Sequence, residues 1–128
     1  MGEKILIVED DLSLLDLYKS ELSHHGYRVF IAETGGMGLA LAKKEKPDLI
    51  LMDIMMPGMD GFSFIRSLHD EAELADIPII VLTNLGTSDI FIEEGKQLGV
   101  AKYLIKYKTS VAEVIKTIAT TLGEQASK

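Results

Sequence analysis

Five short apolar runs, separated by segments of helical periodicity, constrain the fold of this chain more than any other feature of its sequence. The runs comprise residues 5–8, 29–32, 49–52, 79–82 and 103–105. The first, third and fourth consist almost entirely of Ile, Leu and Val, which is typical of strands that are buried on both faces of a parallel sheet. The runs therefore predict five parallel strands.

The segments between and after these runs carry apolar residues at helical spacing, which predicts a helix after every strand. The stripes are Leu12, Leu15, Tyr18 and Leu22; Leu39, Leu41 and Ala42; Phe62, Ile65 and Leu68; Ile90, Phe91 and Leu98; and Val111, Val114, Ile115, Ile118 and Leu122. Candidate N-caps and helix-stopping glycines flank them: Asp11, Asp60 and Ser110, and Gly26, Gly99 and Gly123. Repeated strand–helix units predict an α/β fold, with right-handed crossovers placing helices on both faces of the sheet.

The length of 128 residues corresponds to a single domain with its own core. We expect the folded core to cover about residues 4–122, and residues 124–128 to form a loose tail or the stump of a linker. Neither a tandem repeat nor a low-complexity stretch divides the sequence. With no appended domain visible, a stand-alone domain is expected.

Charge and composition exclude several classes of function. Acids outnumber Lys and Arg by 20 to 13, and the resulting net charge of −7 disfavours direct binding to nucleic acid or to anionic membranes. The absence of cysteine excludes thiol catalysis, disulfides and thiolate zinc sites. The apolar runs are too short to span a bilayer, and the early acids from Glu9 leave no room for a signal peptide, so we expect a cytoplasmic protein.

Polar side chains follow the predicted strands at the edge of the sheet where a ligand site is expected. In an open parallel sheet, ligands bind outside the carboxyl ends of the strands. That edge receives three acids, a hydroxyl and an ammonium: Glu9, Asp10, Asp53, Thr83 and Lys106. Neighbouring carboxylates repel one another unless a cation joins them, and a small set of oxygen ligands matches Mg²⁺.

A carboxylate nucleophile, a metal, an ammonium and a hydroxyl donor together indicate phosphoryl transfer onto an aspartate. Plainer interpretations exist, since Thr83 and Lys106 could be ordinary strand-end residues and an acid pair commonly begins a helix. Asp53 is harder to explain in this way, because it interrupts an apolar run at the point of deepest burial. The occurrence of all these groups at matching strand ends favours a functional site.

Four segments carry a family resemblance: Val8-Glu9-Asp10, the stretch from Asp53 to Gly61, Val81-Leu82-Thr83, and Tyr103-Leu104-Ile105-Lys106. In order and spacing they resemble the receiver domain of response regulators, the phosphorylated partners in two-component signalling. The resemblance extends from about Lys4 to Leu122. It implies a flavodoxin-like, doubly wound sheet of five parallel strands in the order 2-1-3-4-5, with five helices.

The resemblance also implies a phosphoacceptor and a metal site. Asp53 corresponds to the phosphoacceptor. Asp10 would bind Mg²⁺ directly and Glu9 through water or weakly, and the backbone carbonyl of Met55 would complete the protein ligands.

The remaining site residues are implied to act in switching. Thr83 would move to the phosphoryl group, and Lys106 would hold it. Tyr103 occupies the family's switch-aromatic position, although a half-buried strand tyrosine is an equally valid interpretation of the sequence.

The implied function is a signalling switch that receives its phosphoryl group from a sensor histidine kinase or a histidine phosphotransfer protein. Such a domain catalyses only its own Mg²⁺-dependent phosphotransfer and dephosphorylation, so we expect no enzyme with a separate substrate. The implied readout surface is the fourth helix, fifth strand and fifth helix, which would bind an effector protein or a second copy of the domain.

Three positions depart from the family pattern. Tyr107 stands where the family usually has a proline after a cis bond, so we expect a trans bond and a rearranged loop after the fifth strand. Asn84 stands where a small residue is common, and its amide could narrow access to the phosphoacceptor. Lys102 replaces a commonly acidic residue on the expected readout surface.

Other functions on a similar fold fit less well. A phosphatase with an aspartate nucleophile would need a second acid two residues after Asp53, where Met55 stands. A flavin carrier would need a Ser/Thr-rich loop after the first strand, where this chain has acids, and aromatic residues for stacking. A docking module that is never phosphorylated stays open, because of Tyr107 and Asn84.

Overall fold

The computed structural model describes residues 2–56, 59–84, 93 and 95–126, and its centre is a sheet of five parallel strands. The strands are β1 (Lys4–Val8), β2 (Arg28–Ala32), β3 (Leu49–Met52), β4 (Ile79–Thr83) and β5 (Lys102–Ile105). Their order in the sheet is β2-β1-β3-β4-β5, which confirms the predicted order. The strand order reverses between β1 and β3, and ligands bind at such a reversal in open sheets of this kind.

Helices cover both faces of the sheet, as predicted. They are α1 (Leu12–His24), α2 (Gly35–Glu45), α3 (Gly61–His69) and a C-terminal helix (Val111–Ala126). Residues 93 and 95–97 of the predicted fourth helix are helical, and its other residues, including Ile90 and Phe91, lie outside the described residues. Among the described helices, none combines the length and apolar character needed to cross a membrane.

Alternating side chains of each strand pack into two separate cores. Ile5 and Ile7 of β1 join the core beneath α1 and the C-terminal helix, whereas Leu6 and Val8 join the core beneath α2 and α3. The predicted stripes supply most of the helical contacts, since Leu15, Tyr18, Leu22, Phe62, Ile65, Leu68, Val114, Ile115 and Ile118 are all buried. Leu12, the first residue of α1, is an exception at 57% exposed.

Side chains cap three of the helices at the predicted residues. The carboxylate of Asp11 caps α1, and Asp60 Oδ1 accepts a hydrogen bond from the Phe62 amide at the start of α3 (3.0 Å). Ser110 and Glu113 form a reciprocal capping box, in which the Ser110 hydroxyl accepts from the Glu113 amide and the Glu113 carboxylate accepts from the Ser110 amide. These caps fix the first turn of each helix.

Two of the three predicted helix stops are confirmed and one is wrong. Gly26 and Gly99 have φ angles of 92° and 78°, a region that favours glycine. Gly123 instead lies inside the C-terminal helix, so the tail predicted from Glu124 begins within that helix. An exposed helical glycine costs only about 1 kcal/mol, and the helix gains an ion pair between Glu124 and Lys102 (3.5 Å) beyond it.

Candidate functional site

The backbone hydrogen bonds of the sheet extend into the site through Glu9 and Asp53. The Glu9 amide donates to the Ala32 carbonyl (3.0 Å), and the Asp53 amide donates to the Val8 carbonyl (3.1 Å). Both side chains are buried, with that of Glu9 6% and that of Asp53 8% exposed. The central strands therefore hold two acids in place at the carboxyl ends of β1 and β3.

Three carboxylates converge at this edge, as the sequence predicts. One oxygen from each of Glu9, Asp10 and Asp53 lies within 4.8 Å of the other two. Asp10 is exposed, whereas its two neighbours are buried. At this separation the negative charges repel one another, and the cluster requires a cation for stability.

Lys106 brings one positive charge to this cluster. Its Nζ donates to Asp53 Oδ2 (2.7 Å) and forms an ion pair with Glu9 Oε1. The lysine side chain is only 14% exposed, so it is not the solvated strand-end lysine that a plainer interpretation allowed. One ammonium balances one of the three carboxylates, which leaves two negative charges.

Backbone amides hold the other oxygen of each buried carboxylate. Asp53 Oδ1 accepts from the Met55 amide (2.8 Å), and Glu9 Oε2 accepts from the Asp11 amide (3.1 Å). Each buried acid thus has one oxygen on Lys106 and one on a backbone N–H. Charge-assisted bonds of this kind fix the orientation of both carboxylates.

Burial and charge act in opposite directions on the pKa values of the pair formed by Glu9 and Lys106. Burial raises the pKa of Glu9 above its ordinary value, although Lys106 and the Asp11 amide oppose the shift. Burial alone would lower the pKa of Lys106, but hydrogen bonds and charge from Asp53 and Glu9 outweigh it, and the net pKa is raised. The ammonium therefore stays protonated at neutral pH.

Thr83 and Tyr103 lie on the two strands next to this cluster. Thr83 is fully buried at the end of β4 and pairs in register with Ile105, the residue before Lys106. Tyr103 is half-buried on β5 and packs against the core beneath α2 and α3. Burial and the nearby charge of Asp53 raise the pKa of the tyrosine hydroxyl. The structure thus brings Glu9, Asp10, Asp53, Thr83 and Lys106 to one edge of the sheet, whereas Tyr103 lies two residues further inside, opposite Val81.

The sequence matches the response regulator receiver domain family over residues 5–119. The chain belongs to this family. The family match confirms the resemblance that the sequence motifs indicate, and the five-stranded parallel sheet agrees with it.

Similar proteins include receivers of known sequence and structure. Protein PilH of Pseudomonas aeruginosa is 46% identical over 107 residues, which cover 80% of this chain and 84% of PilH. A CheY-like receiver from Methanospirillum hungatei superimposes with a TM-score of 0.91 at 31% identity, over 99% of this chain and 98% of that one. Several other curated relatives are longer, and the chain spans 23% to 42% of their length.

A second similar structure was determined with a metal. The receiver domain of the sensor histidine kinase PA1611 from P. aeruginosa PAO1 has a magnesium ion coordinated in its active site cleft. It superimposes on this receiver with a TM-score of 0.84 at 30% identity, over 96% of this chain and 99% of that one.

The loop after β5 of this receiver has the trans geometry that the sequence predicts. All peptide bonds of the described residues are trans, and Lys106–Lys108 form a short 3-10 turn. The Tyr107 amide donates to Asn84 Oδ1 (3.1 Å). Two of the positions that depart from the family pattern therefore contact each other. Sequence analysis missed this contact, because the residues are 23 positions apart.

Gly61 also borders the receiver site, and the sequence motifs do not show why a glycine is needed there. A Cβ at this position would lie 2.5 Å from the Ile54 Cα, far closer than packed atoms allow. Ile54 separates Asp53 from Met55, whose amide binds the Asp53 carboxylate. The glycine therefore lets the backbone beside Asp53 pack directly against the start of α3.

Proposed function

We propose that this receiver is phosphorylated on Asp53, with a sensor histidine kinase or a histidine phosphotransfer protein as the donor. The contact between Asp53 Oδ2 and Lys106 Nζ (2.7 Å) carries the proposal. It places a nucleophilic carboxylate beside an ammonium that can bind a phosphoryl oxygen. Glu9 and Asp10 supply further carboxylates at the same point.

The transfer forms a bond between phosphorus and a carboxylate oxygen of Asp53 and breaks the bond between phosphorus and the donor histidine nitrogen. The phosphoryl group adds negative charge next to Lys106, whose ammonium binds one of its oxygens. The buried hydroxyl of Thr83, one strand away, donates to another oxygen. Hydrolysis of the acyl phosphate by water returns Asp53 to its carboxylate and releases inorganic phosphate. We propose that the domain catalyses only these reactions of its own Asp53 and none on a separate substrate.

The donor set of the site fits Mg²⁺. Three carboxylates within 4.8 Å offer hard oxygen ligands, and two of their negative charges are not balanced by Lys106. We assign the metal to Glu9, Asp10, Asp53 and the backbone carbonyl of Met55. When bound, Mg²⁺ would neutralise charge on the transferring phosphoryl group.

Replacing Asp53 tests the phosphoacceptor directly. We expect the wild-type protein to gain one phosphate from a small phosphodonor such as phosphoramidate in the presence of Mg²⁺, and Asp53→Asn to gain none. Intact-protein mass spectrometry measures both. Asp76→Asn, a substitution at an exposed acid outside the site, is the matched control and should label normally. Undiminished labelling of Asp53→Asn would contradict the assignment.

Replacing Asp10 tests the metal site. Without metal, Asp10→Asn should raise the free energy of unfolding by about 1 kcal/mol, because one of three repelling charges is removed. Mg²⁺ should raise the melting temperature of the wild type by binding the folded state, and that of Asp10→Asn much less. Thermal melts in EDTA and in Mg²⁺ measure this, with the exposed Asp16→Asn as control. A less stable metal-free Asp10→Asn would show that the acid has a structural role.

We propose that the phosphoryl group alters a readout surface next to β5. Movement of Thr83 toward the phosphoryl group, which Lys106 would hold beside Asp53, would bias the position of Tyr103. The charge of Asp53 contributes to the raised pKa of the Tyr103 hydroxyl, so the two groups already interact. The loop before the fourth helix, proposed as the other moving part, lies outside the described residues. The surface of the fourth helix, β5 and the C-terminal helix would then bind an effector protein or a second copy of this domain.

The alternative of a docking module that is never phosphorylated gains no support from the described residues. Tyr107 and Asn84, the two departures that favour this alternative in the sequence, contact each other in the structure. Lys106, beside Tyr107, keeps both of its carboxylate contacts. The groups needed for phosphorylation therefore stay assembled despite the two departures.

A further inference from the structure

One hydrogen bond joins two segments that border the site, and the phosphotransfer chemistry does not use it. Asn84 Oδ1 accepts from the backbone amide of Tyr107 (3.1 Å). Asn84 directly follows Thr83, the last residue of β4, and Tyr107 directly follows Lys106, the first residue after β5. The bond therefore connects the segment that carries the hydroxyl with the segment that carries the ammonium.

This hydrogen bond lies just beyond the end of the β-ladder between β4 and β5. The ladder runs from Ile80 opposite Lys102 to Thr83 opposite Ile105. Lys106 comes next in the chain, and the bond between Tyr107 and Asn84 follows it immediately. The backbone of Lys106 is thus held on one side by the ladder and on the other side by Asn84.

Two further hydrogen bonds close the turn upon itself. The Thr109 hydroxyl donates to the Ile105 carbonyl (2.8 Å), and the Thr109 amide donates to the Lys106 carbonyl (3.3 Å). Both connect residues within the segment 105–109. They shape the turn but do not fix it relative to β4, whereas the Asn84 side chain does.

We propose that Asn84 is a positioning residue, which holds Lys106 against Glu9 and Asp53 through the amide of Tyr107. A lysine ammonium sits on a flexible four-carbon stem, so its position depends on where the backbone is held. Small displacements of a group that binds the reacting phosphoryl oxygen slow the reaction strongly. The inference rests on the proposed role of Lys106 in phosphoryl transfer.

The alternative expectation is that Asn84 only narrows access to Asp53. The two expectations predict opposite changes in the phosphorylation rate of Asn84→Ala. If Asn84 positions Lys106, Asn84→Ala should slow phosphorylation by phosphoramidate about threefold to tenfold, the range that corresponds to one lost hydrogen bond. If Asn84 only obstructs the site, the smaller alanine should speed the reaction.

Two matched variants separate the hydrogen bond from the side chains that flank it. Asn84→Asp keeps an acceptor oxygen at the same reach and should restore most of the rate that Asn84→Ala loses. Tyr107→Ala removes the exposed phenol ring but keeps the backbone amide, and it should label at close to the wild-type rate. Slow labelling by Tyr107→Ala together with normal labelling by Asn84→Ala would assign the effect to the ring and overturn the proposal.

Nuclear magnetic resonance of the metal-free protein tests the positioning without any phosphotransfer. In Asn84→Ala, the Tyr107 amide should exchange with solvent faster and the Lys106 ammonium resonance should shift, whereas Asn84→Asp should preserve both signals. An unchanged Lys106 resonance, or wild-type labelling by Asn84→Ala, would overturn the proposal. If the wild type itself fails to label, the proposed function falls, and the Lys106 resonance still decides whether Asn84 positions it.

Discussion

Lys106→Met should lower the free energy of unfolding by about 3 kcal/mol at neutral pH in the absence of metal. The substitution keeps most of the volume of the side chain and removes its charge. Glu9 and Asp53, both buried, then lose the ammonium that binds one oxygen of each. An uncompensated buried charge costs far more than an exposed ion pair contributes, which is why we expect so large a loss.

The pH dependence of the Lys106→Met variant has a defined sign. Burial already raises the pKa of Glu9, and Lys106 opposes that rise, so its removal should raise this pKa further. An acid whose pKa is higher in the folded than in the unfolded state lowers the free energy of unfolding at pH values above its unfolded-state pKa. This destabilisation disappears as the pH falls toward that pKa and the group becomes protonated. The deficit of Lys106→Met relative to the wild type should therefore shrink between pH 7 and about pH 4.

Urea unfolding in EDTA at several pH values measures this deficit. Lys116→Met, at an exposed position of the C-terminal helix, is the matched control and should change stability by less than about 0.5 kcal/mol. Equal losses in the two variants, or a deficit that grows in acid, would show that the two carboxylates do not depend on Lys106.

Gly61→Ala should destabilise the protein by about 2 kcal/mol and also slow phosphorylation. The new Cβ would overlap the Ile54 Cα at 2.5 Å, and backbone cannot move aside as a flexible side chain does. Ile54 must therefore shift, and the amide of Met55 shifts with it. That amide binds Asp53 Oδ1, so the carboxylate should lose part of its orientation.

Gly36→Ala provides the control for the Gly61 substitution. Gly36 is exposed in the first turn of α2. A Cβ added there would lie 4.0 Å from the Thr34 hydroxyl oxygen, the nearest atom to it. Alanine is a better helix former there, so we expect unchanged or slightly higher stability. Urea unfolding and the initial labelling rate measure both variants. Wild-type behaviour of Gly61→Ala in both would rule out a close approach of Ile54.

Local patterns predicted the elements of this fold because its strands and caps depend on nearby residues. Apolar runs identified all five strands, and single side chains such as Asp11 and Asp60 identified helix starts. The convergence of the acids also followed from the sequence, because parallel strands end at one edge of the sheet. Chain order and residue type were sufficient for these features.

Features that depend on distant contacts could not be predicted in this way. Gly123 is typical of a helix stop, yet the helix continues past it and pairs Glu124 with Lys102, far away in sequence. One local feature is not predicted either: Met55–Met56 and Met59–Asp60 pair as a short antiparallel ribbon, and strands of two residues are too short to form a recognisable apolar run. The contact of Asn84 with Tyr107 depends on strand order and register together, which no local pattern contains.

The ladder bonds of Glu9 and Asp53 divide the site into a fixed part and an adjustable part. Glu9 and Asp53 directly follow β1 and β3, two neighbouring strands inside the sheet, and the Asp53 amide bonds to the last residue of β1. We therefore expect these two acids to separate only when the centre of the sheet opens, at a free energy close to that of global unfolding. Lys106 lies beyond the ladder and can be released by a local, far less costly fluctuation. In native-state hydrogen exchange, the amides of Glu9 and Asp53 should consequently be among the slowest to exchange. The amides of Lys106 and Tyr107 should exchange much faster.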